Sequence, residues 1–100
     1  MLVIVWEFRV KPGRVEEFED LYREDGAWAE LFRDSPGFVS TTLMKDLRDP
    51  ARYMVADRWT SAELFEEFRR DQSARYDALD ERCRRLTERE TEIGRFDFLH

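Results

Sequence analysis

Asparagine is absent from this 100-residue chain, and cysteine and histidine occur once each, as Cys83 and His100. A lone thiol builds no disulfide framework, so the expected setting is a reducing one, the cytoplasm. With no histidine pair, no cysteine pair and no Asp-rich loop, the sequence offers no metal site. It also lacks a phosphate-cradling glycine loop and any Ser-His or Cys-His pairing for nucleophilic catalysis. Basic residues are in deficit, 17 Lys and Arg against 23 Asp and Glu, for a net charge of −6. That balance argues against nucleic acid, whose phosphates need a basic stripe, and against docking on anionic membranes. The apolar opening Leu2-Val3-Ile4-Val5-Trp6 has no basic flank and is too short for a signal peptide or a membrane span. No repeat, low-complexity tract or linker divides the chain, which leaves one domain over residues 1–100.

What is present is a folding chain under a dense charged surface. Hydrophobic residues make up 42% and aromatics 14%, well beyond a disordered composition. Residues 2–10 alternate. Leu2, Ile4, Trp6, Phe8 and Val10 are all apolar, whereas Val3, Val5, Glu7 and Arg9 are half so, the period of a strand. Lys11-Pro12-Gly13 ends it. Over 14–24, Val15, Phe18, Leu21 and Tyr22 form a helical stripe. Asp25-Gly26 interrupts that stripe, and Ala27 to Arg33 resumes it with Trp28, Leu31 and Phe32, which predicts a kinked helix or two short ones.

Ser35-Pro36-Gly37 stops the helical region. A second strand is expected over 38–47, with Val39, Thr41, Leu43 and Leu47 on one face and Phe38, Thr42 and Met44 on the other. A hairpin turn at Arg48-Asp49-Pro50 leads into a third strand over 52–59. Thr60-Ser61-Ala62-Glu63 fits a capping box for a helix that buries Leu64, Phe65 and Phe68. The phase shifts near Asp71-Gln72, and a further helical stretch to about Leu86 carries Tyr76, Leu79, Cys83 and Leu86. Residues 88–98 close the chain as an edge strand kept soluble by charge. Ile93, Phe96 and Phe98 supply its apolar positions, and Gly94 marks a bulge or bend.

The order β-α-β-β-α-β specifies an α+β, ferredoxin-like fold, a four-stranded antiparallel sheet with helices on one face. Val3 and Val5 on the first strand and Met54 and Ala56 on the third leave the other face apolar as well. A soluble protein needs a partner for such a face. The simplest partner is an identical copy packed sheet on sheet across a two-fold axis, a homodimer.

Several motifs resemble the antibiotic-biosynthesis monooxygenase family over about residues 1–70. Val3 to Gly13 is similar to the family's opening strand and turn, and Pro36-Gly37-Phe38 to its Pro-Gly-aromatic step into strand two. Asp49-Pro50 before Arg52-Tyr53 resembles its hairpin. Asp57-Arg58-Trp59 followed by Thr60-Ser61 resembles its acid-x-Trp strand end before a helix. The resemblance implies a dimeric α+β barrel with a ligand cavity between helices and sheet in each protomer. Its members include cofactor-free monooxygenases of polycyclic aromatic polyketides, quinol oxidases and haem-degrading enzymes. The last use an Asn, a Trp and a haem-ligating His, of which this chain offers only a tryptophan, so no cofactor is expected.

Strand three puts Tyr53, Asp57 and Trp59 on one face. A carboxylate among apolar side chains holds its proton more tightly and can act as a base toward an acidic phenol. The competing reading pairs Asp57 with an arginine, Arg9 or Arg58 of the partner subunit. Trp59, and Trp28 beside the Gly26 break, would wall an aromatic cavity or donate an indole N–H; each would serve equally as core. Arg58, Arg75 and Tyr76 are candidates to orient an anionic aromatic ligand, although Tyr76 also anchors the last helical stripe. Cys83 lies in that stripe and reads as a buried, inert thiol. The expected function is cofactor-independent oxygenation of an aromatic, polyketide-like or quinol-like molecule, with Asp57 and Trp59 catalytic and Trp28, Tyr53, Arg58, Arg75 and Tyr76 in contact with the ligand. A non-catalytic ligand-binding or accessory dimer, or a polyketide cyclase-like protein, is the alternative.

Overall fold

A computed structural model describes residues 1–99. The chain runs β1 (Leu2–Val10), α1 (Val15–Tyr22), α2 (Ala27–Phe32), β2 (Phe38–Lys45), β3 (Arg52–Trp59), α3 (Ala62–Asp71), α4 (Ser73–Arg84) and β4 (Thr87–Asp97). The strands form one antiparallel sheet in the order β2-β3-β1-β4, the ferredoxin-like α+β arrangement expected. The two central strands follow their period-two pattern closely. Ile4, Phe8 and Val10 of β1 and Tyr53, Val55, Asp57 and Trp59 of β3 are buried on the helix side. The β1–β3 register sets Ile4 against Asp57, Trp6 against Val55 and Phe8 against Tyr53.

Aromatic rings fill the space under the helices. Trp59 meets Phe32, Phe38, Phe65 and Phe68 at centroid distances of 5.1–5.4 Å, within the range where edge-to-face and offset contacts add to area burial. The interrupted helix is two helices, α1 and α2. Gly26 makes the break possible: a Cβ there would lie 2.6 Å from the carbonyl oxygens of both Asp20 and Leu21. Only a residue without a side chain lets the turn fold back so closely and drop Trp28 into the core.

Three local expectations fail. A register shift between Phe38 and Ser40 bulges β2. Phe38 therefore joins the helix-side core beside Phe32 and Trp59, while Val39 is 43% exposed. The strict alternation that grouped Val39 with Thr41 takes no account of the extra residue. Leu47 is fully exposed in the connection beyond β2 rather than part of it. At α3 the cap is Ser61, not Thr60: its Oγ accepts from the Leu64 N–H at 3.2 Å, one residue later than the capping box predicts.

The other sheet face carries Val3, Val5, Met54, Ala56 and Phe96 near its centre, where Val3 pairs with Phe96 and Val5 with Ala56 and Gly94. Phe96 is 50% exposed. Arg52 closes one end of this face, bridging Glu7 at 2.6 Å and Asp46 at 2.9 Å. In β4 a register shift lies beside Gly94, where Ile93 is left without a β1 partner. No described helix is long and apolar enough to cross a membrane.

Candidate functional site

A crevice opens between the helices and the sheet, walled by Trp6, Phe8, Tyr22, Trp28, Phe32, Thr41, Val55, Asp57, Tyr76, Asp80 and Glu90. Its cavity volume is about 30 Å³. It is narrow in this structure and partly open to solvent.

Asp57 lies on the sheet floor of this crevice and is 8% exposed. Its cross-strand neighbours are Ile4 on β1 and Thr41 on β2. The Thr41 hydroxyl donates to Asp57 Oδ1 at 2.5 Å. Burial lifts the carboxyl from 3.8 to about 6, and the Thr41 bond opposes part of the rise. Among the described residues no ion pair reaches it; Arg9 pairs with Asp49 at 2.5 Å. The arginine pairing within the chain is thereby ruled out. A carboxylate with an apolar floor, one hydroxyl donor and no cation is a base poised near neutrality.

Trp28 forms the opposite wall. It is 6% exposed, and its indole Nε1 has no hydrogen-bond partner of acceptable geometry, although the Tyr22 hydroxyl and Cys83 thiol are its neighbours. Its ring stands edge-on to Tyr76 at 5.0 Å, and the Arg69 guanidinium covers Tyr76 at 3.6 Å. Burial pushes the Tyr76 phenol up to about 12 and Tyr22 higher still, so both remain neutral donors. Asp80 of α4 and Glu90 of β4 stand at the rim. Crowding by the protein and the charge of Asp80 hold Glu90 above the usual carboxylate range, against the pull of Arg84.

The structure thus gathers Asp57, Trp28 and Tyr76 in one crevice and places the other sequence candidates elsewhere. Trp59 is fully buried within its phenylalanine cluster and does not line the crevice; its Nε1 is also unpartnered. Tyr53 lies deeper along β3 and donates its hydroxyl to Glu19. Arg58 points to the open sheet face, over the Phe98 ring at 4.2 Å. Arg75 lies at the start of α4, paired with Asp34 and with Gln72 Oε1 at 3.1 Å. Cys83 is buried with its acidity suppressed by that burial. Sequence reasoning missed Trp6, Tyr22, Thr41, Asp80 and Glu90 as lining residues. Trp6 was accessible by parity with Ile4 and Phe8, and Glu90 by its alternation along the edge strand. Thr41 could not be matched to Asp57 without the register. Among the described residues no cluster of His, Cys, Asp and Glu could hold a metal ion.

The sequence matches the antibiotic biosynthesis monooxygenase family over residues 1–79. No curated protein matches it at a significant level. Among solved structures it is similar to a provisionally named antibiotic biosynthesis monooxygenase of Nitrosomonas europaea, at 17% identity over all of both chains with a TM-score of 0.77. A Pseudomonas aeruginosa protein aligns at 16% identity over 99% of this chain and 94% of its own, TM-score 0.74. SnoaB, a cofactor-independent oxygenase from Streptomyces nogalater, aligns at 25% identity over 99% of this chain and 93% of its own, TM-score 0.72. The first two likenesses carry the fold alone.

Proposed function

The chain belongs to the antibiotic biosynthesis monooxygenase family, and from that premise we propose that it is a cofactor-independent monooxygenase of an electron-rich hydroxyarene, anthrone-like or quinol-like, with Asp57 as the base. The observation that carries this reading is the cation-free burial of Asp57 on the crevice floor with a pKa of about 6. A base of that strength removes a proton from an acidic phenol, or from the ring carbon of an anthrone, near neutral pH. The resulting anion is electron-rich enough to reduce dioxygen directly. In an anthrone one oxygen atom then replaces the two hydrogens of the ring carbon; in a phenol or quinol it replaces one ring hydrogen while the hydroxyl loses the other to give a quinone. In each case the second oxygen atom leaves with the two hydrogens as water, so the sum needs no external reductant.

The crevice supplies what such a reaction needs from protein. The neutral Tyr76 phenol is the lining donor for the oxygen on which negative charge develops. The ligand's reacting edge would lie over Asp57, with the flat remainder of the ligand against the aromatic wall that Trp28 and Tyr76 form together. We further propose that two copies pair through the open sheet face, whose apolar centre is Val3, Val5, Ala56 and Phe96. The test is oxygen uptake with an anthrone or a quinol in the absence of added metal, with Asp57→Asn alongside. Turnover that falls at least about a hundredfold in the variant, the usual size of a general-base contribution, supports the proposal. A panel without uptake, or uptake unchanged by Asp57→Asn, refutes it. A second reading, a non-catalytic ligand-binding or accessory protein, draws on the lack of asparagine and of an internal histidine. It predicts saturable tryptophan quenching with no product.

A further inference from the structure

Three carboxylates and no lysine or arginine line the crevice. Asp57 sits on the floor, and Asp80 and Glu90 face each other's elements across the rim, from α4 and β4. The two guanidiniums that come near are already engaged. Arg69 lies over the Tyr76 ring and pairs with Asp77 at 3.7 Å. Arg84 pairs with Asp80 at 3.0 Å and Glu81 at 3.2 Å. The arginines proposed from the sequence to hold an anion, Arg58 and Arg75, are directed elsewhere. The buried indole of Trp28 completes the aromatic wall, with its Nε1 turned to the Tyr22 hydroxyl and the Cys83 thiol, so the three acids are the charged groups that a ligand meets.

We propose that this crevice selects a hydroxyarene whose remaining polar arm is an ammonium group or is uncharged, and rejects one that carries a carboxylate. The inference rests on the crevice being the ligand site and deepens that reading by assigning the ligand's charge. The ligand's hydroxyl end lies toward Asp57, while the polar arm lies between Asp80 and Glu90. A carboxylate there meets like charge in a half-enclosed space where water screens poorly. An ammonium group gains from both rim acids. Arg84 tempers Asp80 without cancelling it, because the same guanidinium is shared with Glu81.

The test uses three 2-naphthols of matched shape, bearing aminomethyl, methyl or carboxylate at the far ring position. Each is titrated calorimetrically into the wild-type protein at neutral pH. Affinity is expected to fall in that order, by about tenfold from first to last, the scale of a pair of rim ion pairs. Glu90→Gln, at an exposed edge-strand position, narrows the spread, as does Asp80→Asn, which also frees Arg84. High salt narrows it too. Equal or tighter binding of the carboxylate overturns the proposal. So does a spread that Glu90→Gln leaves intact, or failure of all three probes to bind. Oxygen uptake is scored separately. The expected affinity order with no uptake from an anthrone or a quinol sinks the oxygenase reading and leaves the charge selectivity standing. Uptake with a reversed order sinks the selectivity alone.

Discussion

The isolation of Asp57 makes a quantitative demand on stability. In the unfolded chain its carboxyl titrates near 3.8, and in the fold near 6 because burial penalises the ionised form. At about 1.4 kcal/mol per pH unit, that difference amounts to about 3 kcal/mol. Below about pH 4 both states are protonated and the residue contributes nothing to the pH dependence. Between about 4 and 6 the folded protein keeps a proton that the unfolded chain has lost, so stability falls as pH rises; above about 6 the full penalty is in place. The perturbation that isolates this effect is Asp57→Asn, which keeps an acceptor for the Thr41 hydroxyl but cannot ionise. Urea unfolding of both proteins from about pH 4 to 7.5 gives two stability profiles. Their difference cancels the other carboxylates, which the two share. The variant should gain on the wild type by about 3 kcal/mol across that range, nearly all of it below about pH 6.5. A flat difference would refute the isolated-carboxyl argument. A difference of the opposite sign would identify Asp57 as the acid of an ion pair.

Removing the Thr41 hydroxyl should raise Asp57 further, because that hydrogen bond is what opposes the effect of burial. In Thr41→Val, the midpoint of the Asp57-dependent stability change and the acid limb of the kcat profile should both move to higher pH; an unmoved midpoint removes Thr41 as a positioning residue. Trp59→Ala should cost about 3–5 kcal/mol, the usual loss for a large buried aromatic, whereas Trp59→Phe should stay folded with unchanged KM, since Trp59 packs on rings and does not face the crevice. A raised KM in Trp59→Phe would return that indole to the ligand site. Sedimentation at micromolar concentration should give the mass of two protomers, and Val5→Lys, at the centre of the open sheet face, should give one; a wild-type monomer would disprove the paired-sheet arrangement.

How far the sequence could be read depended on whether a feature is set by parity or by register. Residues of β1 and β3 carry their own evidence. Each strand alternates without interruption, so the burial of Ile4, Phe8, Tyr53, Val55 and Trp59 follows from a period of two, and so does the placing of Asp57 among them. The helix break at Gly26 was legible for the same local reason, since glycine both weakens a helix and permits the close turn that follows. Edge strand β2 was not legible. One bulged residue near Val39 exchanges the faces of Phe38 and Val39, and nothing in Phe38-Val39-Ser40-Thr41 marks it, because both faces offer an apolar side chain. That slip matters beyond bookkeeping of faces: the register past the bulge is what sets Thr41 opposite Asp57, so the hydrogen bond that tempers the base depends on a backbone irregularity. The rim acids were hidden differently. Glu90 sits in a run, Glu88 to Glu92, that any exposed edge strand would carry for solubility. Asp80 sits in an i,i+4 pair with Arg84 that a solvated helix would carry anyway. Only the fold, by laying α4 beside β4 over a crevice whose floor is Asp57, turns those two ordinary surface charges into a field that acts on a ligand.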